Sequence, residues 1–269
     1  MTGAPPTPEV ALGARPATTY AAGSAAFTVV LSMAIAATAL AIDSLLPAFP
    51  EIREHLGLAP GATSVAGLVT AFLVGNGLGL VPAGLLADRF GRRQVMWGGL
   101  ALYVLGAVGS VFAPTLGTML VARFVWGLGA AGPRVAAMAI VRDVYSGDQM
   151  ARQMSLIMSV FILVPTVAPA LGAGLIAIGP WHLVFWLCAV AGALVLVASL
   201  RLPSTIAPED LRTLSLTDIW GGWKIVLTTP GTLGYLTGLT VLFGAFLSYL
   251  ASSEIIVDEV FGLEKWFPL

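Results

Sequence analysis

The sequence predicts an all-α fold, a polytopic membrane helix bundle, on three observations. Of 269 residues, 58% are apolar and 10% charged, where a soluble domain carries roughly 25% charged residues. Apolar runs recur at lengths that cross a bilayer, which takes ~20 residues of helix. Lysine and arginine collect in alternate connections between those runs. With a mean hydropathy of +0.93, the chain carries more apolar surface than a soluble core could cover, and lipid serves as its solvent.

Taken in order, residues 1–24 are rich in Ala, Pro and Thr with one arginine, Arg15. No charged segment leads directly into a short apolar core, so this stretch reads as a disordered cytoplasmic tail rather than a cleaved signal. Seven runs then qualify as spans: 25–48, 62–86, 95–113, 117–141, 153–177, 181–200 and 232–253. The first six make one unit, residues 25–201. Gln153–Ile178 and His182–Leu200 contain no charge at all. Tight connections at Ala113–Leu116 and Ile178–Pro180 alternate with longer polar ones, as in packed helical hairpins. Residues 202–231 read as a cytoplasmic linker. Within it Ile219, Trp220, Trp223, Val226 and Leu227 recur at helical spacing behind Thr217-Asp218, predicting a short helix lying on the inner membrane face. Residues 232–269 hold the seventh span and, at Trp266-Phe267-Pro268-Leu269, the start of an eighth, so the chain reads as cut off there.

Orientation follows from the cations. With the N-terminus inside, the inner segments carry Arg15, Arg89, Arg92, Arg93, Arg142, Arg152, Arg201, Arg212 and Lys224, and the outer ones only Arg53 and Lys265. The N-terminus is expected in the cytoplasm.

A charge at mid-helix costs roughly 2.5–3.5 kcal/mol to insert, so such groups face a cavity or a partner. The first span holds Asp43, with Ala39, Ala36 and Ser32 stepping back along its face. The fourth holds Arg123 and Arg134, eleven residues apart and so on one face, with the small Gly127 and Ala130 between them and space expected beside them. Asp43 and Arg123 lie at similar depth. Two readings stand: a structural ion pair, or an acid that titrates, since burial disfavours the charged carboxylate and a nearby arginine favours it. The second is preferred, because a purely structural buried pair is often replaceable by apolar packing. Asn76 either lines a cavity or bonds a neighbouring helix. Gly75, Gly79 and Ala83 have the spacing of close helix packing.

The sharpest local signal is Gly84-Leu85-Leu86-Ala87-Asp88-Arg89-Phe90-Gly91-Arg92-Arg93, a tight turn in which Gly91 permits an unusual backbone conformation. A generic basic loop explains its arginines but not this order of glycine, aspartate and arginine. The segment resembles the loop between helices 2 and 3 of the major facilitator superfamily. Ala41-Ile42-Asp43-Ser44-Leu45-Leu46-Pro47-Ala48-Phe49-Pro50 and Arg123-Phe124-Val125-Trp126-Gly127-Leu128-Gly129-Ala130-Ala131 resemble the helix 1 and helix 4 motifs of its drug:proton antiporters. Ala168-Pro169-Ala170-Leu171-Gly172-Ala173 is similar to their helix 5 motif, with alanines at 168 and 173 where glycine is commoner. Arg142-Asp143-Val144-Tyr145 and Phe243-Gly244-Ala245-Phe246 with Tyr249 and Ser252 fit the bicyclomycin and chloramphenicol efflux type.

The resemblance implies the N-terminal six-helix half plus a seventh helix of a twelve-helix, proton-coupled exporter of small amphipathic compounds in the cell inner membrane. It implies proton coupling by Asp43 and Arg123, and a substrate cavity including Asn76, Arg134 and Tyr249. Gly84, Asp88, Arg89, Gly91, Arg92, Arg93 and Asp143 would make the inner-loop signature, in which Asp88, Arg92 and Asp143 form an inner charge cluster that changes with state. Pro165, Pro169 and Gly172 would bend helix 5 and seal it against leak, although close packing explains the same residues. The implied partners are lipid, protons, a small-molecule substrate and a second six-helix half. A different substrate or direction, or a non-transporting fragment or partner protein, remain alternatives.

Other motifs fail. Gly127-Leu128-Gly129-Ala130-Ala131-Gly132 fits the dinucleotide pattern, but inside a span, without the strand and soluble helix that pattern needs. His55 and His182 stand apart from any metal-ligand spacing and read as interfacial. Cys188 is the single cysteine, so there is no disulfide framework. No grouping suits an enzymatic centre, a cofactor or a metal, and the basic residues are too scattered for nucleic acid.

Overall fold

The structure, a computed structural model, describes residues 20–21, 23–59, 62–206, 221, 224–225 and 227–255, the last ten by backbone alone. The expected tail before residue 20, most of the linker helix and Trp266–Leu269 lie outside them. Eight α-helices run through the described residues: α1 Ala25–Asp43, α2 Phe49–His55, α3 Gly67–Phe90, α4 Arg92–Val111, α5 Leu116–Val144, α6 Gly147–Ile178, α7 His182–Ser199 and α8 Pro230–Ile255. Six stretches are long and apolar enough to cross a membrane, the first joining α1 to α2 and the second joining the turn Thr63–Ala66 to α3. α8 occupies the place of the seventh span, whose side chains beyond residue 245 are not described.

Local chemistry sets the ends. The Ser24 hydroxyl accepts from the amide of Phe27 at the start of α1, and Thr115 and Thr118 cap α5 reciprocally, each satisfying amides that a first helical turn leaves free. α3 passes to α4 through one residue, Gly91, at φ +96°, a conformation that penalises any side chain. The first span differs from the expected continuous 25–48. Ser44 turns its hydroxyl onto the carbonyl of Leu40 at 2.6 Å, α1 stops at Asp43, and a 3₁₀ turn over Leu46–Ala48 leads into α2. Pro47 and Pro50 sit in the first turns of these two short elements, where a missing amide costs nothing.

α5 is clasped between α3 and α4, and small residues make that closeness possible. A β-carbon on Gly75 would strike the Phe124 backbone, one on Gly127 the Phe72 backbone, and one on Gly129 the backbone of α4 at Tyr103. Gly75 and Gly79 thus serve packing, as their spacing suggests. The space expected beside Gly127 and Ala130 is not there: α3 fills it, and both residues are buried. α1 lies against α6, and α7 against α4.

Two buried clusters result. One surrounds Phe27, Met96, Ile140 and Leu202, at the end of the bundle that carries Arg89, Arg92, Arg93, Arg142 and Arg201, hereafter the basic end. The other surrounds Trp126, Phe72, Tyr103 and Phe185 near the far end, where α1 terminates.

Candidate functional site

A helix leaves its last carbonyls without intrahelical donors, and α1 ends buried inside the bundle. Side chains from neighbouring helices supply the donors. Arg123 of α5 donates through Nη1 to the Ala41 carbonyl at 2.9 Å and through Nε to Leu68 of α3 at 3.2 Å. Tyr103 of α4 adds a bond to the Ala37 carbonyl, a turn further back within α1, at 2.8 Å. A cation at a helix C-terminus is also favoured by the helix dipole.

Arg123 is fully buried. Its guanidinium carbon lies 4.9 Å from the Phe72 ring centre and 4.8 Å from that of Trp126, contacts worth about 2 kcal/mol each when desolvated. Trp126 in turn meets Phe72, Tyr103 and Phe185 at ring-centre distances of 5.3–5.9 Å. One donor is left over: Nη2 of Arg123 is buried and has no hydrogen-bond partner among the described residues.

Asp43 is the last residue of α1, 6% exposed. No described residue pairs with its carboxyl group. The expected ion pair with Arg123 is therefore not formed in this conformation: Nε and Nη1 of Arg123 are turned onto Leu68 and Ala41, and Nη2 meets no acceptor among the described residues. Arg123 holds a carbonyl two residues before Asp43 in sequence, so both groups belong to the same end of α1, with no contact between the two side chains among the described residues. Beside them α6 makes its closest approach: a β-carbon on Gly172 would collide with the Ser44 carbonyl, and Ala168 is buried. Pro165 and Pro169 lie within a helix that stays continuous through both.

At the basic end a second group of charges joins α3, α4 and α5. Arg92 bonds Asp88 at 2.6 Å and approaches Asp143 at 3.4 Å. Asp143 also accepts from the Thr205 hydroxyl at 2.9 Å. Asp88, Arg92 and Asp143, with Arg134, Arg142 and Gly84, line a cavity of about 560 Å³ between α3 and α5. Arg134 further lies 5.8 Å from the Phe161 ring centre of α6, and a β-carbon on Gly84 would meet nothing within 4 Å. Arg89 and Arg93 point away from this cavity: Arg93 bonds the Leu202 carbonyl at 3.3 Å and Arg89 covers the Phe90 ring.

Two expectations change. Asn76 is buried and donates to the Gly127 carbonyl at 3.4 Å, so it ties α3 to α5 rather than lining a cavity. The histidines do not stand apart: His55 and His182 have ring centres 5.8 Å apart, with Trp181 stacked on His182 at 3.7 Å. Glu51 accepts from the Trp181 amide at 3.0 Å. Among the described residues no three His, Cys, Asp or Glu side chains are grouped to hold a metal. The side chain of Tyr249 lies outside the described residues. Tyr103 was not singled out from sequence; its signal was a hydroxyl in an apolar span, which needs a buried acceptor.

A bundle of bilayer-length helices, with buried charge at one end of its interior and a charged cavity at the other, has the build of a multi-pass membrane protein. The chain matches the Major Facilitator Superfamily over residues 26–268 and belongs to it. It is 29% identical over 223 residues to the "Bicyclomycin resistance protein homolog" of Haemophilus influenzae, covering 82% of this chain and 56% of that protein. It is 30% identical over 232 residues to the "Multidrug resistance protein MdtL" of Escherichia coli, covering 83% and 56%. The chain thus spans about half the length of these curated relatives. Among solved structures it resembles the human organic anion transporter MFSD10, with a TM-score of 0.58 and 20% identity over 74% of this chain and 53% of that one. It also resembles a D-xylose-proton symporter, with a TM-score of 0.57 and 17% identity over 78% and 55%. At these identities the structural likeness shows the fold.

Proposed function

We propose that the chain forms the N-terminal portion of a proton-coupled secondary transporter that exports small amphipathic compounds, set in the cell inner membrane with its basic end in the cytoplasm. The carrying observation is that Asp43 and Arg123 belong to the same end of α1: a buried carboxyl without a partner among the described residues and a buried guanidinium with one donor unused among them. An ionised carboxylate buried alone is costly, and a guanidinium within reach removes much of that cost. A small rearrangement at the Ser44 break would bring Asp43 onto Nη2 of Arg123 and release a proton; separating them again would take one up.

The charges at the basic end suit the other half of the cycle. Arg92 bridges Asp88 of α3 and Asp143 of α5, and Arg134 and Arg142 line the same cavity. Closing and opening this mouth against a second six-helix half, out of step with Asp43, would give alternating access to the two sides of the membrane. Proton, substrate and second half are the partners this reading requires. Export of drug-like compounds is supported by the names of the bicyclomycin and multidrug resistance relatives. The test is Asp43→Asn in the full-length gene product: proton-driven export should be lost at unchanged membrane levels. Undiminished proton-driven export would remove Asp43 from the mechanism.

A further inference from the structure

A groove of about 440 Å³ opens on the outer surface of the bundle between α3 and α4, with α5 as its floor. It lies on the side of α3 away from the charged cavity, and its lining includes Pro82, Leu86, Phe90, Gly98, Leu102 and Leu128. Missing side chains keep it open: a β-carbon on Gly98 would meet nothing within 4 Å, whereas Gly99 is pressed against Pro133. From Gly79 to Phe90 the groove follows α3 for about 16 Å at 1.5 Å per residue. That is the depth of one leaflet of a hydrocarbon core ~30 Å thick. It ends at the basic end, between Phe90 and the exposed Gln94.

At that end stands Arg89, seven residues beyond Pro82 and so on the same face of α3. The other two arginines of the loop are engaged, Arg92 with Asp88 and Asp143 and Arg93 with the Leu202 carbonyl and the Trp97 ring. Arg89 is exposed, lies over the Phe90 ring at 5.2 Å, and has no oxygen partner among the described residues. An apolar slot one leaflet deep, closed by a cation without an anion, has the complementarity of a lipid with an apolar tail and an anionic head.

We propose that this groove holds an acyl chain of an anionic phospholipid from the leaflet at the basic end, with its phosphate on Arg89. The site depends on membrane insertion but not on the transport reading.

The test is native mass spectrometry of the chain released from bilayers of equal phosphatidylglycerol and phosphatidylcholine. The wild type should retain phosphatidylglycerol at least several-fold over phosphatidylcholine. Arg89→Gln should abolish that preference, and Gly98→Phe should remove the retained lipid of both kinds. Arg152→Gln, at an exposed position on α6, should keep the preference. Equal retention by the wild type, or an Arg152→Gln loss as large as that of Arg89→Gln, would overturn the site. So would retention untouched by Gly98→Phe, or a Gly98→Phe change from dimer to monomer, which would put a second copy in the groove. Should Gly98→Phe not fold, the comparison of Arg89→Gln with Arg152→Gln, both at exposed positions, decides alone.

Discussion

Arg123 of α5 bonds the carbonyl of Ala41 at 2.9 Å, and through that bond a fully buried guanidinium closes the end of α1 two residues before Asp43. The same guanidinium holds Leu68 at the start of α3. Three helices are therefore registered against one another by a side chain whose Nη2 has no partner among the described residues. The arrangement stabilises the far end of the bundle.

Arg123→Lys should show that the fork matters. A single ammonium lacks the spread to reach both carbonyls while lying over two rings. Losing one charge-assisted hydrogen bond costs about 1.5–3 kcal/mol. Thermal unfolding in detergent is expected to shift to lower temperature although the charge is kept. An unchanged midpoint would mean the two carbonyl bonds contribute nothing.

Gly172 and Gly174 make a matched pair on α6. A β-carbon at 172 runs into Ser44, and one at 174 meets nothing. Gly172→Ala should destabilise by about 1–3 kcal/mol through overpacking. Gly174→Ala should be neutral or gain up to about 1 kcal/mol from helix propensity. The order of the two melting temperatures checks the packing of α6 on α1.

Arg92→Gln separates stability from function at the basic end. The Asp88 carboxylate is half exposed, and exposed pairs contribute about 0–1 kcal/mol. The variant should unfold near the wild-type temperature, while substrate flux in the full-length gene product falls by an order of magnitude or more. Equal flux would mean the Asp88–Arg92–Asp143 bridge is not part of the cycle.

Gly91→Ala tests the α3–α4 turn. At φ +96° and ψ 149° the backbone is in a region nearly reserved for glycine, and a β-carbon there costs roughly 1–3 kcal/mol. The variant should melt below the wild type, and hydrogen exchange should rise first at the amides of the turn.

The spans were legible because membrane insertion writes length and apolarity directly into the chain: α5, α6 and α7 begin and end within a few residues of their expected limits, except that α6 starts at Gly147. The break at Ser44 was not legible. It depends on a hydroxyl turning onto its own helix and on two prolines placed where they initiate short elements rather than end a span. Arg123 was visible as a charge in an apolar run, but its partners were not, because backbone carbonyls leave no trace in sequence. Asn76 was left between two roles for the same reason, since Gly127 offers it only an oxygen. His55 and His182 lie 127 residues apart, and no local pattern announces their contact.

The most direct measurement is infrared difference spectroscopy of the purified protein across a pH titration, comparing the wild type with Asp43→Asn. The account expects a protonated-carboxyl band that the wild type loses as pH rises and that Asp43→Asn lacks. The same band in both proteins would contradict it, because the proton would then reside elsewhere than on Asp43.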